Sequence, residues 1–107
     1  VAPRRIFFQS YFDYDRSFNG FERMAILRVI ARNPDINHVE VNSRQAVFKA
    51  YDQENPSNSP LEIKMGCNWV QVSSKSVDTT IHLAEELVRA IEEANPKKEV
   101  DASGGDA

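Results

Sequence analysis

Three Asn-Pro pairs govern what this chain can fold into: Asn33–Pro34, Asn55–Pro56 and Asn95–Pro96. Proline disfavours the helical conformation in the residue before it, so each pair is a natural end for the helix-like run it follows. The first segment, Arg5–Phe12, reads as a strand with Ile6, Phe8 and Phe12 on one face and Phe7 and Tyr11 on the other. Apolar residues on both faces predict a central strand. After a polar loop over Asp13–Phe18, Asn19-Gly-Phe-Glu22 has the spacing of a capping box, which opens a helix running to about Arg32. Met24, Leu27 and Ala31 form one apolar flank of that helix, and Ile26, Val29 and Ile30 form another. That is broader than the single stripe of a surface helix, and it predicts contact with something beyond the helix's own sheet.

Val39 and Val41 alternate as in a strand. Residues Ser43–Glu54 can be read in two ways. As a strand the segment pairs in a hairpin with Val39–Val41. As a helix it has Asn42 as cap with Gln45 three residues on, and it places Val47, Ala50 and Tyr51 on one side. Its Arg, Gln, Ala, Lys and Glu content favours the helix, which Asn55–Pro56 would stop. Leu61–Met65 and Trp69–Ser73 then form a hairpin around Gly66-Cys67-Asn68. A last helix begins near Ser76, with Val77, Ile81, Ala84, Val88 and Ile91 as its apolar stripe.

Composition sets outer limits. The chain has 107 residues, enough for one domain with a core of its own. We place that domain over residues 4–95 and read residues 96–107 as a flexible acidic tail. The single cysteine, Cys67, precludes an intrachain disulfide and a cysteine-based zinc cage. No apolar run reaches the ~20 residues of a membrane helix, so no membrane insertion is expected. The Arg4–Arg5 pair precedes an aromatic run and not a signal-peptide core. Charge is uneven: residues 1–49 carry eight Lys or Arg against five acids, and residues 50–107 carry five against eleven.

Helix at 43–54 gives the order βαβαββα. Right-handed crossovers then make a mixed α/β, thioredoxin-like fold, a four-stranded mixed sheet with helices on both faces. Pro60 resembles the proline, often cis, that precedes the third strand of that fold. Strand at 43–54 would instead give an antiparallel sheet with two helices on one face. Thioredoxin chemistry needs an activated cysteine at the start of the first helix. Here that stretch reads Tyr14-Asp15-Arg16-Ser17-Phe18-Asn19 and has none.

The Asn33-Pro34-Asp35 helix ending, the valine strand after it and the Ala50-Tyr51 pair before a polar loop resemble a cysteine-poor, thioredoxin-fold group. That group joins small mitochondrial ribosomal proteins to a small accessory subunit of respiratory complex I. The resemblance spans roughly residues 4–94 and departs from the group at Arg16-Ser17-Phe18-Asn19-Gly20, where small residues are usual. It implies a redox-inactive accessory subunit on the matrix side of the mitochondrion; without it, the expected location is cytoplasmic.

The residues themselves offer few chemical sites. Asp13, Asp15 and Glu22 lack the ligand number and bend glycine of a calcium loop, and read as helix-start acids. His38 and His82 sit outside any ligand motif, and Ser73, Ser74 and Ser76 lack the context of a nucleophile elbow. Cys67 has no partner cysteine and reads as inert. No catalytic residue, metal or cofactor is expected. Five aromatics, Tyr11, Phe12, Tyr14, Phe18 and Phe21, crowd into eleven residues. Aromatics are enriched at interface centres. Tyr11, Tyr14, Phe18 and Phe21, with Arg28 and Arg32 on the first helix, are therefore the expected contacts to protein subunits of a larger complex. Two other readings stay open: RNA binding if Arg4, Arg5, Arg23, Arg28 and Arg32 converge, and a thiol enzyme if Cys67 is exposed and acidic.

Overall fold

Alternating apolar residues make five strands and two capped helical runs make two helices in the computed structural model, which describes residues 7–52, 54–55 and 59–94. They follow in the order β1 (Phe8–Asp13), α1 (Gly20–Ala31), β2 (His38–Val41), β3 (Ala46–Ala50), β4 (Leu61–Met65), β5 (Trp69–Ser74) and α2 (Val77–Glu93). The strands form one sheet in the order β1-β5-β4-β3-β2, and every neighbouring pair is antiparallel. Strands β2 to β5 are therefore a meander, and β1 closes the far side beside β5.

This overturns the thioredoxin-like arrangement. The sheet has five strands and is wholly antiparallel, and the order of elements is βαββββα. The point of divergence is the segment 43–54, expected as a helix, whose residues Ala46–Ala50 are β3. The Asn42 side chain does accept backbone hydrogen bonds, from Arg44 and Gln45 at 2.8 and 2.9 Å. The Asn42 backbone N–H, however, donates to the Gln45 carbonyl at 2.9 Å, and this closes a hairpin turn. Val39 then faces Phe48, and Phe48 faces Ile63 on β4. Cross-strand pairing of two large apolar residues outweighs a helical propensity of a few tenths of a kcal/mol per residue. Two further expectations change with it. Strand β1 is an edge strand and not a central one, and the peptide bond before Pro60 is trans.

Register fixes the two faces of the sheet. Residues directly opposite one another share a face, so Val39, Phe48, Ile63, Val72 and Ser10 lie together. Both helices cover this face: Ile26, Val29 and Ile30 of α1 and Leu83, Leu87 and Ile91 of α2 join Phe48, Leu61, Ile63, Val70 and Val72 in one core. The opposite face carries Tyr11, Lys49, Glu62, Lys64 and Gln71. There Lys49 and Lys64 flank Glu62 at 3.4 and 3.7 Å, and the Tyr11 ring stacks on Trp69.

Both helix starts match their caps. Asn19 Oδ1 accepts from the Glu22 N–H at 2.9 Å, and the Glu22 carboxylate accepts from the Asn19 N–H at 2.8 Å. Ser76 caps α2 through the Thr79 N–H. The stripe of α2 is rotated from expectation, however. Thr80, Leu83, Ala84, Leu87 and Ile91 are buried, while Val77 and Ile81 are exposed. Helix α2 packs against α1 as well as against β1 and β5, so its buried arc turns toward the side that meets both. The tail expected over 96–107 lies outside the described residues.

Candidate interaction face

Helix α1 is apolar on two sides, as its sequence predicts, and the structure uses only one of them. Ile26, Val29 and Ile30 enter the core. On the opposite side Met24 is 53% exposed and Leu27 45%, with Ala31 beside them and Phe21 at 69% near the helix start. Single exposed apolar residues are ordinary; several consecutive ones on one helix face are a marker of a contact surface.

The patch continues onto the sheet. Val39 and Val41 lie on the helix-covered face of β2, yet they are 53% and 74% exposed. Five strands span about 24 Å at their usual spacing, and two helices side by side cover about 20 Å. Strand β2, at the end of the sheet order, is left bare. Between it and α1 runs a groove of about 430 Å³, lined by Leu27, Val39, Val41, Ala46, Phe48 and Met65, with Arg23, Arg44 and Cys67 at its rim.

The loop before α1 is held in place by polar contacts. The Arg16 guanidinium donates to both Glu22 carboxylate oxygens, at 2.8 and 2.7 Å, although Glu22 is only 1% exposed. Those bonds outweigh the cost of burial and, with the Asn19 N–H, hold the Glu22 carboxyl below the usual carboxylate range. Farther back in the loop, the Tyr14 N–H donates to the Asn68 carbonyl and the Asn68 side chain donates to the Tyr14 carbonyl, at 2.8 and 2.7 Å. The Phe18 N–H donates to the Cys67 carbonyl at 2.7 Å, so the loop is tied to the β4–β5 turn.

The expected contact residues do not form one surface. Phe18 is 6% exposed and belongs to the core. Tyr14 is half-buried against Phe18, with ring centres 5.4 Å apart; burial, helped by the charges of Glu92 and Glu22, raises its phenol pKa. Tyr11 points to the other face of the sheet. Phe21 alone of the aromatics joins the exposed side of α1. Arg28 and Arg32 are exposed, and Arg32 reaches Glu86 of α2 at 3.3 Å. Arg23 lies on the other flank of α1, at the groove, and Arg4 and Arg5 lie outside the described residues. Val39, Val41 and Arg44 were not among the expected contacts. Val39 and Val41 read simply as strand residues until the sheet order exposes them.

A larger cavity, about 720 Å³, lies between the end of α1 and the start of α2. Two of its polar side chains are used in local structure: Asn33 Oδ1 accepts from the Asp35 N–H and Ser76 Oγ from the Thr79 N–H. Ser74, buried beside it, hydrogen-bonds Thr80 at 2.7 Å and is a structural hydroxyl. Among the described residues no group of three His, Cys, Asp or Glu is arranged to hold a metal, and no helix is long and apolar enough to cross a membrane. No protein-family model matches the chain, and no curated protein matches it in sequence.

Proposed function

We propose that this chain is a non-catalytic interaction domain, an accessory subunit that works by docking protein partners onto the outer side of α1. One observation carries the reading: α1 buries Ile26, Val29 and Ile30 and leaves a second apolar side, Met24, Leu27 and Ala31, open to solvent. A surface helix with nothing to meet would carry polar residues there. A mitochondrial compartment and respiratory complex I would follow from a thioredoxin-like order of elements, whereas the sheet here is five-stranded and wholly antiparallel, and the proposed role is interaction alone. RNA binding is the weaker alternative, because Arg23 and Arg32 sit on opposite flanks of α1 and Arg32 is paired with Glu86.

Met24→Glu and Leu27→Glu test the reading. Both side chains face solvent, so each variant should fold with stability within ~1 kcal/mol of the parent. Each should be lost from the native assembly. Variants that fold and still assemble fully would refute the docking role.

A further inference from the structure

We propose that the groove between α1 and β2 seats an acidic amphipathic helix of a partner protein, which completes the helical layer over the sheet. This rests on the reading of the α1 side as a docking face and names what docks there. The floor of the groove is the helix-covered face of the sheet, not its edge. An occupant that covers Val39 and Val41 must therefore lie beside α1, about 10 Å from its axis, where a third helix would pack. A strand added to the free edge of β2 would extend the sheet sideways and leave both valines bare.

Charge selects the kind of helix. Among the described residues, the charged side chains lining the groove are Arg23, from α1, and Arg44, from the β2–β3 turn. Neither guanidinium is in an ion pair with a described residue, whereas Arg16 and Arg32 both are. The two unpaired arginines stand at the end of the groove near the Gly66–Cys67 turn. An apolar helix with carboxylates along its flank satisfies them, and a basic helix meets like charge. The chain's own segments fit poorly. Residues 99–107 are acidic but hold one large apolar residue, Val100. Helix α2 is acidic too, but its Leu83, Leu87 and Ile91 are already in the core.

The test uses the full chain and two synthetic peptides of about 14 residues, four helical turns. Both carry leucines at positions i, i+4, i+7 and i+11; one has Glu at the flanking positions and the other Lys. By fluorescence anisotropy the Glu peptide should bind about tenfold or more tightly than the Lys peptide. The bound Glu peptide, labelled with ¹³C, should show helical Cα shifts. Val41→Glu should weaken it about tenfold, and the double variant Arg23→Glu, Arg44→Glu should reverse the preference. Equal binding of the two peptides, preference for the Lys peptide or extended Cα shifts would each overturn the proposal. So would concentration-dependent dimers that Val41→Glu abolishes, since a second copy would then be the occupant. If Leu27→Glu disrupts the native assembly while Val41→Glu and Arg44→Glu leave it intact, the docking role stands and this occupant is wrong.

Discussion

Arg16 and Glu22 meet through two parallel hydrogen bonds, and the second carboxylate function of Glu22 is to close the cap of α1 at the Asn19 N–H. One buried acid thus ties a loop cation to a helix start. The helix whose outer side we assign to docking is positioned by this contact.

Removing the carboxylate should loosen that start. Glu22→Ala leaves the Asn19 N–H without its acceptor and the Arg16 guanidinium with only the Ser17 carbonyl, and should cost about 2–3 kcal/mol, measured by urea denaturation. The pH dependence follows from the direction of the shift. Glu22 has a lowered pKa in the folded chain, so its contribution is complete above the ordinary glutamate value of about 4.3 and is lost as pH falls through the folded value. In that window the unfolded chain binds the extra proton. Glu22→Gln should therefore flatten the stability profile below about pH 4.3 relative to the parent.

Local signals in the sequence were sufficient for both helix caps and for the β4–β5 hairpin, because each depends on residues within a few positions of one another. Asn42 with Gln45 shows where such signals run out. An asparagine that satisfies following N–H groups serves a hairpin turn as well as a helix start, and the choice was made by Phe48 meeting Val39 and Ile63 from distant segments. The unused side of α1 could be read from Met24, Leu27 and Ala31 alone. Its continuation across Val39 and Val41 could not, since it depends on β2 ending the sheet order. Phe18 and Tyr14 were misleading for a related reason: the aromatic density was real, but the β4–β5 turn folds back on the loop and takes Phe18 into the core.

The strand at 46–50 has a direct spectroscopic consequence. Backbone chemical shifts over Ala46–Ala50 should be extended, with cross-strand contacts from Phe48 to Val39 and to Ile63. Phe48→Ala should cost about 3–5 kcal/mol by thermal or urea unfolding, as for a buried phenylalanine in any core.

At the β4–β5 turn, Gly66 lies against the indole of Trp69, where a Cβ on residue 66 would overlap the ring. Gly66→Ala must push the indole off its present seat and disturb its stacking on Tyr11, and should cost about 1–3 kcal/mol. Trp69 is the only tryptophan, so its emission should move to longer wavelength in the folded variant. Unchanged emission and unchanged stability would show that the indole does not rest there.

The two methionines give the docking claim its most direct test. Met24 is exposed on the outer side of α1, and Met65 is buried beneath the sheet face. With dilute hydrogen peroxide, mass spectrometry of the isolated chain should find Met24 oxidised quickly and Met65 slowly. In the native assembly Met24 should become as slow as Met65. A Met24 that oxidises at the same rate free and assembled would contradict the assignment of this face.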